Sequence, residues 1–146
     1  MITKPFACVL LGMAGFAASA LAQAAPSSCV RLDGGWIRFP AMAHMAGGFG
    51  RIDNTCKADV AVTAVRSPAF KDVSVHETTL VDGVSRMRAI ERLPLAAGKG
   101  VELKPGGLHL MLMDGSGPLR EGQRVPVSLV LSDGTEVHGE LVVRRP

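Results

Sequence analysis

Two pairs of histidine and methionine carry the chemistry that this sequence offers. His109 and Met111 lie two positions apart within residues 105–113, and His76 precedes Met87 by eleven positions. Alternate residues of a β-strand share one face, so His109 and Met111 project together if this stretch is a strand. Imidazole and thioether groups are borderline and soft ligands, and thioethers in particular select Cu(I). The two pairs therefore predict a soft-metal site if the chain brings them together.

The first pair lies on a strand that a turn introduces. Pro105 fixes φ at the first central turn position and Gly106 accepts φ > 0 at the second, which predicts a type II turn. The strand then alternates, with three leucines on what we expect to be its core face. His109, Met111 and Met113 are left on the other face. Met113 lies about 6.7 Å beyond Met111 at strand rise, so we expect it to flank the site and not to be a ligand.

The second pair depends on a predicted hairpin. Asp82-Gly83 is a strong signal for a two-residue turn. With these residues as the loop, Val81 faces Val84, and His76 and Met87 become same-face diagonal neighbours about 7–8 Å apart at the backbone. A loop one residue longer would put them on opposite faces.

Each pair also has a simpler explanation, which the residues alone leave open. A methionine in a strand usually fills a core, and a histidine on a polar strand face is usually solvated. If the pairs do meet, two neutral imidazoles and two neutral thioethers favour Cu(I), whereas zinc would favour thiolate, imidazole or carboxylate ligands. A blue-copper site needs a cysteine between histidines, and neither Cys29 nor Cys56 has such neighbours.

The rest of the chain predicts an all-β fold. Short alternating runs separated by Gly, Pro, Asn and Asp are typical of a single-domain antiparallel β-sandwich or barrel. The predicted strands are 30–39, 50–53, 60–67, 73–80, 85–92, 100–104, 108–113, 125–131 and 137–144. Residues 39–48 and 92–100 are predicted to be loops. Met42, His44 and Met45 in the first of them form either an accessory copper site or merely a flexible loop, and the loop is favoured.

The first 24 residues have the pattern of a secretory signal peptide. Lys4 precedes a short apolar run that ends in small residues, with A-x-A cleavage motifs near residues 22–24. We therefore expect a mature domain at 25–146 with no stable membrane insertion after cleavage. The formal charge of +3, or +2 without Lys4, is too small to predict binding to nucleic acid. In an oxidising compartment Cys29 and Cys56 are expected to pair, the alternative being two free thiols.

The complete spacing is His-x10-Met-x21-His-x-Met, at His76, Met87, His109 and Met111. It resembles the signature of the periplasmic copper chaperones known as the PCu(A)C family. The flanking stretches 82–88, 101–113 and 118–122 are similar to that family as well, and the resemblance covers roughly residues 60–143.

The resemblance implies a cupredoxin-like, immunoglobulin-like β-sandwich that holds Cu(I) in a shallow site, with the same four residues as ligands. It also implies a periplasmic protein that delivers copper to the CuA centre of cytochrome c oxidase, with a Sco-type protein as a further partner. No catalytic triad, carboxylate pair or phosphate loop is evident, so we expect a monomeric carrier and not an enzyme. The alternatives are a periplasmic copper buffer or tolerance protein and a metal-free β-sandwich assembly module.

Overall fold

The protein, described by a computed structural model over residues 29–42 and 44–146, consists in these ranges of ten β-strands and their connections. The strands are β1 Val30–Arg38, β2 Met45–Asn54, β3 Val60–Ser67, β4 Phe70–Val81, β5 Val84–Ile90, β6 Leu93–Leu95, β7 Gly100–Leu103, β8 Leu108–Gly115, β9 Arg124–Leu131 and β10 Glu136–Arg144. The predicted signal peptide, residues 1–24, lies outside the described residues. Within the described ranges, no helix has the length and hydropathy needed to cross a membrane.

The sheet closes on itself. Seven strands follow one another in the order β4-β8-β2-β1-β10-β9-β3, and β3 pairs again with β4. β5 continues the sheet beside β4, β6 beside β3, and β7 pairs with the second half of β2. All these pairings are antiparallel except that of β1 with β10, which is parallel. The predicted all-β, cupredoxin-like and immunoglobulin-like single domain is confirmed, in a barrel-like form with one parallel pair.

The hydrophobic core lies inside the closed sheet, and β8 forms part of its wall. Leu110 and Leu112 are fully buried and Leu108 packs against the core more peripherally, so the predicted leucine face is confirmed. β2 approaches these leucines closely, because a Cβ atom on Gly48 would lie 3.1 Å from Leu112 Cδ1 and 3.2 Å from Leu110 Cβ. A side chain at this position would make unusually tight contacts that the two leucines would have to relieve by shifting, which is consistent with a glycine inside this strand.

Two segments predicted to be loops contain strands. β2 begins at Met45, five residues before the predicted start, and β6 occupies Leu93–Leu95 within the predicted loop 92–100. The predicted start of β2 was wrong because glycines replace the alternating side chains that mark a strand. The prediction of a loop over residues 92–100 missed β6 because this strand has only three residues. Its central residue is Pro94, and proline is tolerated in a strand only at edge or bulge positions.

A disulfide joins the outer ends of β1 and β2. Cys29 precedes β1 and Cys56 follows β2, the two residues are 27 positions apart, and the structure links them. The N–H of Thr55 donates a hydrogen bond to the carbonyl of Cys29 (2.9 Å) beside this link. The predicted pairing is therefore confirmed, and it anchors the strands that cover one side of the site described below.

Removing this disulfide should lower the free energy of unfolding by about 3–4 kcal/mol, because the crosslink restricts the unfolded chain over a loop of this length. Urea denaturation of the Cys29→Ser, Cys56→Ser double variant, compared with the oxidised protein, measures the difference. The wild-type protein unfolded with a thiol reductant is the control, and its curve should match that of the variant. Coincident curves for the oxidised protein and the variant would contradict the prediction.

Candidate metal centre

The hairpin of β4 and β5 has the predicted register. Val81 pairs with Val84, Thr78 with Met87, and His76 with Ala89. The loop is Asp82-Gly83, with φ of 49° and 76°, the two positive values that a type I′ turn requires. His76 and Met87 therefore share one face of the hairpin as diagonal neighbours.

The opposite face of this hairpin carries an ion pair that supports the register. Glu77 pairs directly with Arg88, whose Nε and Nη2 both donate to Glu77 Oε2 at 3.0 and 2.7 Å. Opposite charges placed directly across a ladder stabilise it by roughly 0.2–1 kcal/mol. A slip by one residue would separate this pair and reverse the face of Met87.

β8 brings the second histidine beside the first. His109 pairs directly with His76 across the β4–β8 ladder, and the centroids of the two imidazole rings lie 6.0 Å apart. Met111 follows on the same face of β8, opposite Ser74. Along the strand direction, Met87 lies on one side of the two imidazoles and Met111 on the other. The four predicted ligands thus occupy one continuous area of the outer sheet face.

A cavity of about 360 Å³ opens over this area, and Met87, His109 and Met111 all border it. His76 does not line the cavity but lies next to His109, with its side chain half-buried. Met87 is 53% exposed, whereas His109 is only 6% exposed. The expected solvent-near site describes Met87 best, His76 and Met111 are partly exposed, and only His109 is buried. The alternative that His109 is a solvated surface residue is therefore wrong.

The imidazole of His109 is oriented by the turn that introduces β8. Its Nδ1 lies 3.0 Å from the carbonyl oxygen of Gly107, within the Pro105-Gly106 turn region. A carbonyl only accepts hydrogen bonds, so Nδ1 carries the proton and donates. The hydrogen bond at Nδ1 fixes the tautomer and leaves the lone pair of Nε2 free. Metal-binding histidines commonly have this arrangement. The predicted type II turn is present, with Gly106 at φ 80° and Gly107 N–H donating to the Lys104 carbonyl.

The imidazole of His76 contains a buried atom without a partner. Its Nε2 lies 3.0 Å from Ser74 Oγ, while its Nδ1 is buried and makes no hydrogen bond. Among the described residues, this is the one buried side-chain nitrogen or oxygen in that condition. When Ser74 accepts from Nε2–H, Nδ1 carries an unused lone pair. Buried polar atoms are normally satisfied, and a cation bound at Nδ1 would satisfy this one, so the imidazole fits a metal ligand.

An aromatic pair, Phe49 and Trp36, lies beside His109 on the β2 side, a feature that the sequence did not reveal. The Phe49 ring lies 6.4 Å from the His109 ring and 4.6 Å from the Trp36 ring, centroid to centroid. Gly47, directly opposite Met111, contributes no side chain, and a Cβ there would lie 3.2 Å from Phe49 Cζ. The absence of a side chain at Gly47 keeps the floor of the cavity open next to Met111.

The charges around the cavity favour a monovalent ion. Arg38 borders the cavity, and its guanidinium carbon lies 5.7 Å from the Phe49 ring centroid. Coulomb repulsion between this guanidinium and a bound cation scales with the charge of the cation, so a divalent ion is penalised about twice as much as a monovalent one. In the described part of the chain, no group of three or more His, Cys, Asp or Glu side chains could hold a metal ion.

Comparison with solved structures identifies the fold. The apo PCuAC domain from PmoF1 is 21% identical, with a TM-score of 0.66 over 82% of this chain and 96% of that domain. The copper-bound PCuAC domain from PmoF2 is 22% identical, with a TM-score of 0.66 over 82% and 95% of the two chains. CuI-DR1885 from Deinococcus radiodurans is 23% identical, with a TM-score of 0.62 over 86% and 83%. The chain has the fold of PCuAC domains.

Comparison of sequences identifies the family. A protein of Leifsonia xyli subsp. xyli (strain CTCB07), "Putative lipoprotein Lxx21020", is 34% identical over 136 residues, which are 88% of this chain and 80% of that protein. The model of a family described as "Putative lipoprotein LpqE-like" matches residues 30–143. That match spans most of the chain, from the first described strand to the last, and the protein is therefore a member of the LpqE-like family.

Proposed function

We propose that this protein is an exported Cu(I) carrier, not an enzyme, which holds one copper ion with His76, Met87, His109 and Met111. The observation that carries the proposal is that these four side chains share one continuous area of one sheet face. Met87, His109 and Met111 border one cavity there, and His76 lies beside His109. Two strand pairings with different partners produce this arrangement. Neither pairing would place a ligand there if its register shifted by one residue.

The donor set supports copper in its monovalent state. Imidazoles and thioethers are uncharged, so they do not neutralise a divalent ion, and the neighbouring Arg38 adds repulsion. Soft thioethers favour Cu(I) over the harder divalent ions. Methionine also remains available in an oxidising compartment, where cysteines form disulfides, as Cys29 and Cys56 do here.

The relatives support copper binding and export. Two of the structural relatives are described as copper-bound and Cu(I) forms, and the Leifsonia relative and the family are described as lipoproteins. Together with the signal-peptide pattern at residues 1–24, these descriptions support export, and the compartment that we propose is the periplasm. We also propose that the protein is not stably inserted in a membrane after the signal peptide is cleaved.

The burial of the ligands suggests an order for copper transfer by ligand exchange. Met87 lies on the exposed hairpin and is the ligand that an acceptor reaches first. His109 is buried and its ring is held by the Gly107 carbonyl, so it releases the ion last. Each step replaces one neutral ligand by another, and no covalent bond within the protein changes.

The acceptor that we propose is the CuA centre of cytochrome c oxidase, with a Sco-type protein as a further partner and with this protein acting as a monomer. Incubating the Cu(I)-loaded protein with a purified apo CuA domain tests this directly, with the copper content of each partner measured after separation. We expect copper to move to the CuA domain from the wild-type protein. The Met87→Leu and His109→Ala variants should deliver less at equal protein concentration.

Gene deletion distinguishes delivery from buffering. Loss of a carrier should lower oxidase activity when copper is limiting, whereas loss of a copper buffer or tolerance protein should increase sensitivity to excess copper. Protein purified from the periplasm of copper-fed cells under reducing conditions should contain copper. A complete lack of copper there would contradict the proposal and would favour a metal-free assembly module.

A further inference from the structure

The five methionines of the described chain are gathered on one side of the sheet. Met42, Met45, Met87, Met111 and Met113 are the methionines that follow the predicted signal peptide. None of these five belongs to the buried core, although methionine is usually a core residue. Two of them are among the four proposed ligands, which leaves three to be explained.

Those three form a row of direct neighbours. Met45 pairs with Met113 across the β2–β8 ladder, and Met42 forms an isolated bridge with Met45, whose N–H donates to the Met42 carbonyl at 3.2 Å. Directly opposite residues share a sheet face with Cβ atoms about 4.5–5.5 Å apart. Met113 lies on the face of Met111, so all three project toward the outer side that carries the proposed copper site.

The row is accessible and continuous with the cavity. Met42 is 56% exposed and Met45 is 45% exposed, which are high values for apolar side chains. Met45 also borders the cavity that contains Met87, His109 and Met111. Three neighbouring thioether side chains can turn toward one point, because methionine has three rotatable bonds.

The charge next to the row favours a cation. Asp72 of β4 pairs directly with Met113, so its carboxylate lies on the same face at the end of the row, and it is exposed. On the other side the loop is held in place, because the Asp114 N–H donates to the His44 carbonyl at 3.3 Å. The row thus offers soft neutral ligands beside one negative charge. Arg38 borders the cavity together with Met45, and its positive charge favours a monovalent over a divalent ion here as well.

We propose that Met42, Met45 and Met113 form a second binding site for a soft monovalent cation, one row of the sheet beyond Met111. The proposal rests on the proposed function for the identity of the ion as Cu(I). This site has three thioethers and no imidazole, so it binds more weakly than the four-ligand site. Because Met45 borders the same cavity, an ion held there is one ligand exchange from Met111, and the row acts as a loading position for the inner site.

Nuclear magnetic resonance of the methionine methyl groups, titrated with Ag(I), tests the proposal. Ag(I) is a soft monovalent ion that does not require a reductant. We expect two steps. The first equivalent should shift the methyl signals of Met87 and Met111, and the second should shift those of Met42, Met45 and Met113. The Met45→Leu, Met113→Leu double variant should lose the second step and keep the first, since leucine conserves volume without a sulfur atom.

Matched variants separate this proposal from the copper site itself. Met87→Leu should weaken the first step and leave the second, and His44→Ala should change neither. A single step in the wild-type protein with unmoved Met42 and Met45 signals would overturn the second site. So would a second step that persists in the double leucine variant or that disappears in His44→Ala. If the methyl signals of Met87 and Met111 do not shift in the wild-type protein while the second step is present, the proposed function is overturned instead.

Discussion

Replacing His109 and Met111 together with alanine should lower the affinity for Cu(I) by more than about 100-fold. Removing a residue that only supports a metal ligand already costs about 10–100-fold, and this double variant removes two ligands. The remaining His76 and Met87 lie on different strands, and one of them is largely exposed. Titration against a competing Cu(I) chelator under reducing conditions measures the change.

The control removes an imidazole that lies elsewhere on the surface. His138 is exposed and its Nδ1 lies 2.9 Å from Ser128 Oγ on the neighbouring strand, so His138→Ala should bind Cu(I) like the wild-type protein. Met111→Leu tests the sulfur atom separately with little change of volume. If the His109→Ala, Met111→Ala protein folds and still competes with the chelator as well as the wild type, the assignment of the site is wrong.

Replacing Leu112 with alanine should reduce the free energy of unfolding by about 2–5 kcal/mol, because the deletion leaves a cavity in a closely packed core. Leu112 is 0% exposed and lies between Met111 and Met113 on β8. Urea denaturation of the metal-free protein gives the change. Saturating Cu(I) should restore part of the loss, since a ligand at 100 times its dissociation constant stabilises the folded state by about 2.7 kcal/mol.

Leu80 provides the matched control for this substitution. It lies at the end of β4 near the hairpin turn and is 75% exposed, so Leu80→Ala should change stability by less than about 0.5 kcal/mol. Equal effects of the two substitutions would mean that β8 does not form part of the core wall. A destabilised Leu112→Ala variant without any gain in stability from Cu(I) would argue against metal binding on the opposite face.

Local signals explain why the hairpin could be predicted in detail. The dipeptide Asp82-Gly83 accepts two positive φ values, and few other turns compete for it. Once the loop is fixed, each residue of β4 from Val75 to Val81 has a single partner on β5, so the shared face of His76 and Met87 follows from position alone. The alternating leucines of β8 gave its core face for the same reason.

Long-range pairing explains what could not be predicted. The direct opposition of His76 and His109 depends on how β4 and β8 align, and nothing in either strand specifies that alignment. Phe49 packs near His109, and it belongs to a strand whose beginning contains too many glycines to be recognised. The parallel pairing of β1 with β10 joins the two ends of the described chain, and no local pattern indicates it.

The early start of β2 had the greatest consequence for the candidate site. A loop at residues 39–48 would have left Met45 without a defined place, whereas the strand sets it opposite Met113 and beside the cavity. The excess of methionine and histidine in this segment was visible in the sequence. Its position on the same face as Met111 became visible only through the pairing with β8.

The side chains of β8 alternate between two faces with a period of two residues. Leu110 and Leu112 pack in the core, whereas His109 and Met111 border the cavity. Inserting one residue at the start of β8 would exchange the two sets, so that imidazole and thioether would enter the core while leucines faced the ion. Inserting two would restore the phase but move the ligands along the sheet. Homologous chains that keep this site must therefore conserve the number of residues within each of these strands, together with the alternation of core and cavity side chains along β8.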